Sequence, residues 1–239
     1  MANQMTFKRY ELKYILTRRQ RDRLVQLMAP HMELDQYGHS TIRNIYFDTD
    51  SYRLVRNSIG RPEYKEKLRV RSYGRTTPED PVFVELKKKY KSVVYKRRAQ
   101  LSEREAMDWL SGDGVLVHSS QILDELEYFR SFYETLHPVV FLSYEREAFF
   151  CPQDGDFRVT FDENILSRLE ELSLCTEPWG TPLLDREQVL MELKTSQAIP
   201  LWMTHVLSEL HIYKTSFSKY GEAYRELILK NPQEVRLYA

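Results

Sequence analysis

The chain reads as an α+β domain built on an antiparallel sheet of about eight strands that curls into a barrel or tunnel, with helices inserted between the strands and packed outside. Three observations predict this. The tripeptide Glu-Leu-Lys occurs three times, as Glu11-Leu12-Lys13, Glu85-Leu86-Lys87 and Glu192-Leu193-Lys194, each time in a strand-like segment. Strand alternation then places Glu and Lys on one face and Leu on the other. Second, EYKEKLRVRSY carries Lys65, Lys67, Arg69 and Arg71 at strict period two. Third, helix-start signals fall between such segments, and no Gly-, Ser- or Pro-rich linker divides the 239 residues, so one domain over 1–239 is expected.

Taken in order, Met5–Leu16 reads as a strand with Tyr10, Leu12 and Tyr14 opposite Arg9, Glu11 and Lys13. Thr17 caps a helix to about Met28, stopped by Pro30. Thr41–Asp48 is the second strand, and the Asp-Thr-Asp-Ser cluster after it starts a short helix ending at Gly60. Glu63–Tyr73 is the third. After a turn over Gly74–Pro81 comes Pro81–Lys89, with Val82, Val84 and Leu86 opposite Phe83, Glu85, Lys87 and Lys89. Lys91-Ser92 connects it as a hairpin to Val93–Leu101. Ser102 with Glu105 forms a capping box for a helix through Leu110, and a second helix spans Gln121–Leu136. Strands over Pro138–Phe149, Phe157–Asp162 and Val189–Thr195 follow, then helices over Leu201–Ile212 and Ser218–Lys230. Residues 163–187 read as loop, marked by Pro178, Gly180 and Pro182.

Composition excludes several classes. No apolar run approaches 18 residues and the N-terminus lacks a secretory apolar stretch, so a cytosolic protein, or one at the cytosolic face of a membrane complex, is expected. Two cysteines, Cys151 and Cys175, are too few for a disulfide scaffold. The six histidines follow no ligand spacing and read as structural or surface groups, and no Walker A, GxGxxG, kinase or HExxH pattern occurs. Net charge is +0, yet between Arg61 and Arg98 thirteen Lys/Arg stand against five acids. Such a local excess is how a focused anion site looks, and also how a solvated basic face looks. Lys88, Lys89, Lys91 and Arg97 fit the solvated reading.

The polar faces collect Lys13, Arg69, Arg71, Lys87, Lys96, Arg98, Arg146, Arg158 and Lys194, with Glu11, Glu85 and Glu192. If the sheet closes, these crowd one space, and two like charges at 4 Å cost about 4 kcal/mol at an effective dielectric near 20. Such a space needs an anion or its own glutamates to be stable, which predicts a phosphate-rich ligand. Arg offers a planar fork to phosphate oxygens and Lys a point charge. Glutamate cannot bind phosphate directly, but it holds Mg²⁺ or Mn²⁺, which bridges phosphate oxygens. Cations with a carboxylate-held metal are what phosphoryl transfer requires. For Arg69 and Arg71 the competing reading is cross-strand ion pairing with a glutamate.

RYELKYIL, KLRVRSYG, VFVELK followed by VVYKRR, SYEREAF, FRVTFD, LMELK and SFSKYGEAY, in that order from about Phe7 to Tyr224, resemble the VTC domain. This is the polyphosphate polymerase domain of the vacuolar transporter chaperone proteins, within the triphosphate tunnel metalloenzyme (CYTH-like) superfamily. The resemblance implies an antiparallel eight-stranded β-tunnel open at both ends, ATP entering at one and polyphosphate leaving at the other. It implies that Lys13, Arg69, Arg71, Lys87, Lys96, Arg146, Arg158 and Lys219 match the phosphate-gripping positions. Glu192 matches the metal-binding glutamate, Glu85 and Glu11 are further acidic candidates, and Arg98, Lys194 and Ser218 are adjacent ones. Where hydrolases of the superfamily often begin with ExExK, this chain has Arg9-x-Glu11-x-Lys13, which fits the polymerase type better. The phosphate-sensing helical domain and membrane helices of the eukaryotic chains have no counterpart here, which implies a bare catalytic domain working with a separate membrane subunit.

The leading expectation is therefore transfer of the terminal phosphate of ATP to a phosphate or polyphosphate acceptor, with Mn²⁺ or Mg²⁺ as cofactor. Arg69, Arg71, Arg146 and Arg158 would grip the chain, Lys13, Lys87 and Lys219 would neutralise developing charge, and Glu192 would hold the metal. Alternatives are a tripolyphosphate or nucleoside triphosphate hydrolase and a non-catalytic polyphosphate-binding module. Nucleic acid is not expected as a partner: the aromatics fall mostly on apolar strand faces, where they pack a core instead of stacking on bases.

Overall fold

Alternation in the sequence becomes one sheet whose two faces differ in chemistry. The computed structural model describes residues 6–7, 10–60, 62–91, 93–116 and 119–230. Met5, Arg9, Arg61, Ser92 and His118, all used in the sequence reading, lie outside the described residues. The elements are β1 (Thr6–Phe7), β2 (Tyr10–Thr17), α1 (Arg18–Met28), β3 (Glu33–Asp48), α2 (Arg53–Ile59), β4 (Tyr64–Tyr73), β5 (Pro81–Tyr90) and β6 (Val93–Ser102). They continue as α3 (Glu103–Ser111), α4 (Gln121–Tyr133), β7 (His137–Phe150), β8 (Arg158–Arg168), β9 (Thr181–Pro182), β10 (Gln188–Thr195), α5 (Leu201–Glu209), β11 (Lys214–Thr215) and α6 (Lys219–Ala223), which runs on into a wider π-type turn over Tyr224–Leu229.

Eight strands are eight or more residues long, and the other three are two-residue pairings. The order is β1-β6-β5-β4-β3-β7-β8-β10-β2-β11, with β9 beside β8 and every described pairing antiparallel. Hydrogen bonding does not close into a ring among the described residues. The sheet nevertheless curls back on itself, because β1 at one edge and β2 near the other are two residues apart in sequence, and Lys87 on β5 touches Glu11 on β2 at 2.9 Å.

Two apolar clusters lie outside the curl. Val82, Val84, Leu86, Leu68, Val70, Ile45 and Phe47 pack under α3 and α4 through Ala106, Trp109, Leu126 and Phe129. Leu16, Tyr14, Val159, Phe161, Met191 and Leu193 pack under α1 and α5 through Leu24, Met28, Met203 and Leu207. The helix starts are those the sequence signals. Thr17 and Gln20 cap α1 reciprocally, as Ser102 and Glu105 cap α3.

A third cluster adds one helical segment on the inner side of the sheet. Ile42, Tyr46, Leu142, Tyr144 and Leu190 point inward, and Phe217, Tyr220 and Ala223 of the α6 segment cover them, with Val55 of α2. Tyr220 stacks on Tyr46 with ring centroids 4.6 Å apart. α6 enters the curl because its own residues are apolar on one side and tether to the walls on the other.

Two strands outrun the sequence reading. β3 begins at Glu33, eight residues early, because β7 templates it across a register shift at Gly38, which sits at φ +54° where side chains are disfavoured. β8 continues to Arg168 past Asn164, a left-handed residue (φ 48°) that absorbs a second shift. The loop beyond is organised by two buried guanidinium groups. Arg43 donates to the carbonyls of Leu174 and Thr176, and Arg168 to those of Glu170, Glu171 and Trp179. Gly180 is required there, since a Cβ would lie 2.4 Å from the Ser167 carbonyl oxygen.

Candidate active site

The inner face beyond the apolar cluster is ionic, and every strand around it contributes by alternation. Glu85, 1% exposed, is a hub on β5. Arg69, directly opposite on β4, donates Nε and Nη2 to its Oε2 (2.9 and 2.7 Å). On β6, Arg98 donates Nε to Oε1 at 2.7 Å, and Lys96 Nζ lies 2.7 Å from the same oxygen. Arg71 reaches Oε2 at 3.9 Å, while its fork donates to Asn44 Oδ1 (2.9 Å) and Tyr144 Oη (3.1 Å). The cross-strand pairing weighed as the competing reading for Arg69 and Arg71 is thus present, at the centre of a larger cluster.

A second centre sits on β8 and β10. Arg146 grips Asp162 with both arms of its fork, Nε to Oδ1 at 2.6 Å and Nη2 to Oδ2 at 2.7 Å, and Lys219 donates to Oδ2. Glu192 lies near Lys13 (3.1 Å), Lys194 (3.2 Å), Lys219 (3.4 Å) and Arg146 (3.7 Å). Glu11 completes the ring, 3.4 Å from Lys13 and 2.9 Å from Lys87. Ser218 caps α6 by accepting from the Gly221 N–H, and also accepts from Lys67 Nζ at 2.8 Å.

The structure therefore brings together Lys13, Arg69, Arg71, Lys87, Lys96, Arg98, Arg146, Lys194, Ser218 and Lys219 around Glu11, Glu85 and Glu192. Arg158 stands apart. It opens β8 opposite Lys194, exposed and without an ion pair among the described residues. Two participants were not singled out from the sequence. Asp162, fully buried, lies on the polar side of FRVTFD but in no Glu-x-Lys pattern. Lys67 sits in the Lys65–Arg71 row, where nothing separates it from its neighbours. With Lys67 and Lys219 counted, ten cations surround four carboxylates (Glu11, Glu85, Asp162 and Glu192).

The imbalance shows in the protonation equilibria. Burial, reinforced by Lys13, Lys87, Lys65 and Arg69, pushes the Lys67 ammonium down to about 7. Burial takes Lys96 down to about 7 as well, since Glu85 is shared with the arginines and cannot offset it. Burial would raise the Glu85 and Glu192 carboxyls, but the surrounding cations hold both well below the usual range. The Tyr144 phenol, which burial would raise, is drawn below its ordinary value by Arg71, Arg146 and Lys219. Between pH 7 and 10.5 the unfolded chain keeps protons on Lys67 and Lys96 that the folded protein has shed. Stability of the ligand-free protein is therefore expected to rise with pH in that window. Melting curves from pH 7 to 9 check this; a falling midpoint contradicts it.

No three Asp, Glu, His or Cys side chains form a metal-holding group among the described residues. Glu85 suits a metal less well than Glu192, because guanidinium and ammonium groups hold its two oxygens at 2.7–2.9 Å, whereas the cations around Glu192 stand 3.1–3.7 Å away. Glu192, with Glu11 across Lys13, suits the way Mg²⁺ is usually held, by one or two carboxylates with phosphate oxygens and water completing the shell.

One helical segment lies across the inner side of the sheet. α6 spans from Lys67 on β4 to Asp162 on β8 and Glu192 on β10, and Tyr220 Oη donates to Asp48 Oδ2 at the end of β3 (2.7 Å). β3 and β7 lie between those walls in the sheet order, so α6 lies across the inner side of the curl. The ionic side meets solvent, with Lys87 and Lys96 side chains 40% and 35% exposed. No described helix is long and apolar enough to cross a membrane.

In the Bacillus halodurans structure of a candidate adenylate cyclase the same fold recurs, at TM-score 0.59 and 18% identity over 93% of this chain and 99% of that one. The PH1819 protein of Pyrococcus horikoshii matches over 95% of this chain and 99% of its own, at 14% identity and TM-score 0.45. No curated protein matches the sequence. The model of the VTC domain family matches residues 8–228. With its curled antiparallel sheet and cation-lined interior, the chain belongs to the VTC domain family and has a triphosphate-tunnel fold.

Proposed function

We propose that this chain is a polyphosphate polymerase, transferring the terminal phosphate of ATP to phosphate or polyphosphate inside the cationic space. The observation that carries this reading is the cluster of ten buried or half-buried cations around four carboxylates among the described residues of the inner face. A chain of phosphates supplies the missing negative charge along its whole length. Arg69, Arg71 and Arg146 hold phosphate oxygens in planar forks, with the exposed Arg158 as a further grip, and Lys13, Lys87 and Lys219 neutralise charge as the phosphoryl group moves. The acceptor's own oxyanion attacks the γ-phosphorus and the bond to the β-phosphate oxygen breaks, so ADP leaves and no side-chain nucleophile is needed. Mn²⁺ or Mg²⁺, held by Glu192 with Glu11, would bridge and neutralise phosphate oxygens when bound. A cytoplasmic site of action, beside a separate membrane subunit, completes this reading; nucleic acid is not a partner in it.

One observation favours a second reading, hydrolysis of tripolyphosphate or a nucleoside triphosphate with water as acceptor. α6 crosses the interior, which suits a short substrate that enters and leaves by one mouth. Incubation with ATP and Mn²⁺ separates the two. Long chains on a polyacrylamide gel with ADP released are expected for the polymerase; orthophosphate alone assigns the hydrolase. Binding with neither product leaves only a polyphosphate-binding module.

A further inference from the structure

Nine of the ten interior cations have a carboxylate within 4 Å: Lys13, Lys87, Lys96, Lys194, Lys219 and the four arginines Arg69, Arg71, Arg98 and Arg146. A phosphate approaching any of these must share the cation with an acid already in place. Lys67 differs. It has no carboxylate partner among the described residues, and it donates to the Ser218 hydroxyl at 2.8 Å. Ser218 Oγ accepts both from this ammonium and from the Gly221 N–H, so its own proton remains available to donate. The groups that face Lys67 are Lys13 from β2, Lys65 and Arg69 from β4, Lys87 from β5 and Ser218 from α6. An anion seated there is attracted by positive charge from three strands and hydrogen-bonded from α6.

We propose that Lys67 and the Ser218 hydroxyl form a phosphate-oxygen position of the inner space, the one at which phosphate finds an ammonium with no carboxylate to displace. This rests on the reading that the interior takes phosphate chains, and it adds a residue to the set that grips them. Because burial and the four neighbouring cations hold the free ammonium near neutrality, a seated phosphate draws a proton onto it.

Isothermal titration with tripolyphosphate at pH 8, without metal, in two buffers of different ionisation enthalpy, measures affinity and proton uptake together. Lys67→Met is expected to weaken binding about tenfold, the loss of one charge-assisted hydrogen bond. Lys67→Arg keeps a permanent charge and is expected to bind within about threefold of the parent while taking up fewer protons. Lys96→Arg serves as the control for the other ammonium near neutrality, and the difference between the Lys67→Arg and parent uptake is expected to survive it. Melting curves establish that each variant is folded, and Lys67→Arg keeps the test alive if Lys67→Met is not. Parent-like affinity in Lys67→Met, or parent-like proton uptake in Lys67→Arg, overturns the assignment while leaving the proposed function standing. Failure of the parent protein to bind tripolyphosphate overturns both.

Discussion

Glu85→Gln is expected to lower stability by about 3 kcal/mol, the scale on which removing one partner of a buried ionic cluster acts. The loss falls at the lower end of that scale because Arg98 and Lys96 keep a third of their side-chain surface in solvent and are screened there. At this chain length that corresponds to a melting midpoint about 6–12 °C lower. The cause is charge: Arg69, Arg98 and Lys96 lose the one acid they share, and Arg71 loses it at longer range. Thermal denaturation followed by circular dichroism measures the loss. Adding tripolyphosphate is expected to raise the variant's midpoint more than the parent's, since the ligand then replaces the missing charge. A midpoint equal to the parent's would show that Glu85 does not hold β4, β5 and β6 together.

Glu192→Gln is expected to reduce ATP turnover about a hundredfold or more, on the scale of losing one preorganised charge at a reacting centre, while tripolyphosphate affinity is kept or tightened. The two effects separate because the carboxylate opposes the anion electrostatically yet is the acid suited to hold the divalent ion. Its removal leaves Lys13, Lys194, Lys219 and Arg146 with less opposing charge. Steady-state kinetics with Mn²⁺, paired with titration of tripolyphosphate, reads both. Turnover unchanged by the substitution removes Glu192 from the metal role. Turnover and affinity falling together would mean that the variant has disrupted the cluster as a structural unit.

Much of the site was legible because strand alternation is a local property. Glu85, Lys87, Arg69, Arg71, Lys96 and Arg98 lie on three successive hairpin-connected strands, and period two alone puts them on one face. Asp162 was less legible. Its importance comes from Arg146, its cross-strand partner on β7, and from Lys219, which is 57 residues away in sequence. Lys67 was seen as one of a row, and only the absence of a nearby acid among the described residues distinguishes it. The same limit applies to the first half of β3 and the second half of β8. Charged residues, Gly38 and Asn164 weaken their local pattern, and a long partner strand supplies the order instead.

By itself the order of residues determined the alternating strands, the capped helices α1 and α3, and the accumulation of Lys and Arg on one side of a sheet. Each follows from neighbours a few positions apart. Only the tertiary structure decided that α6 lies inside, that Glu85 and Glu192 each gather four cations, and that Lys67 gathers no acid among the described residues. Those outcomes depend on which walls face each other once the sheet curls, and distances across a cavity are not encoded by spacing along the chain.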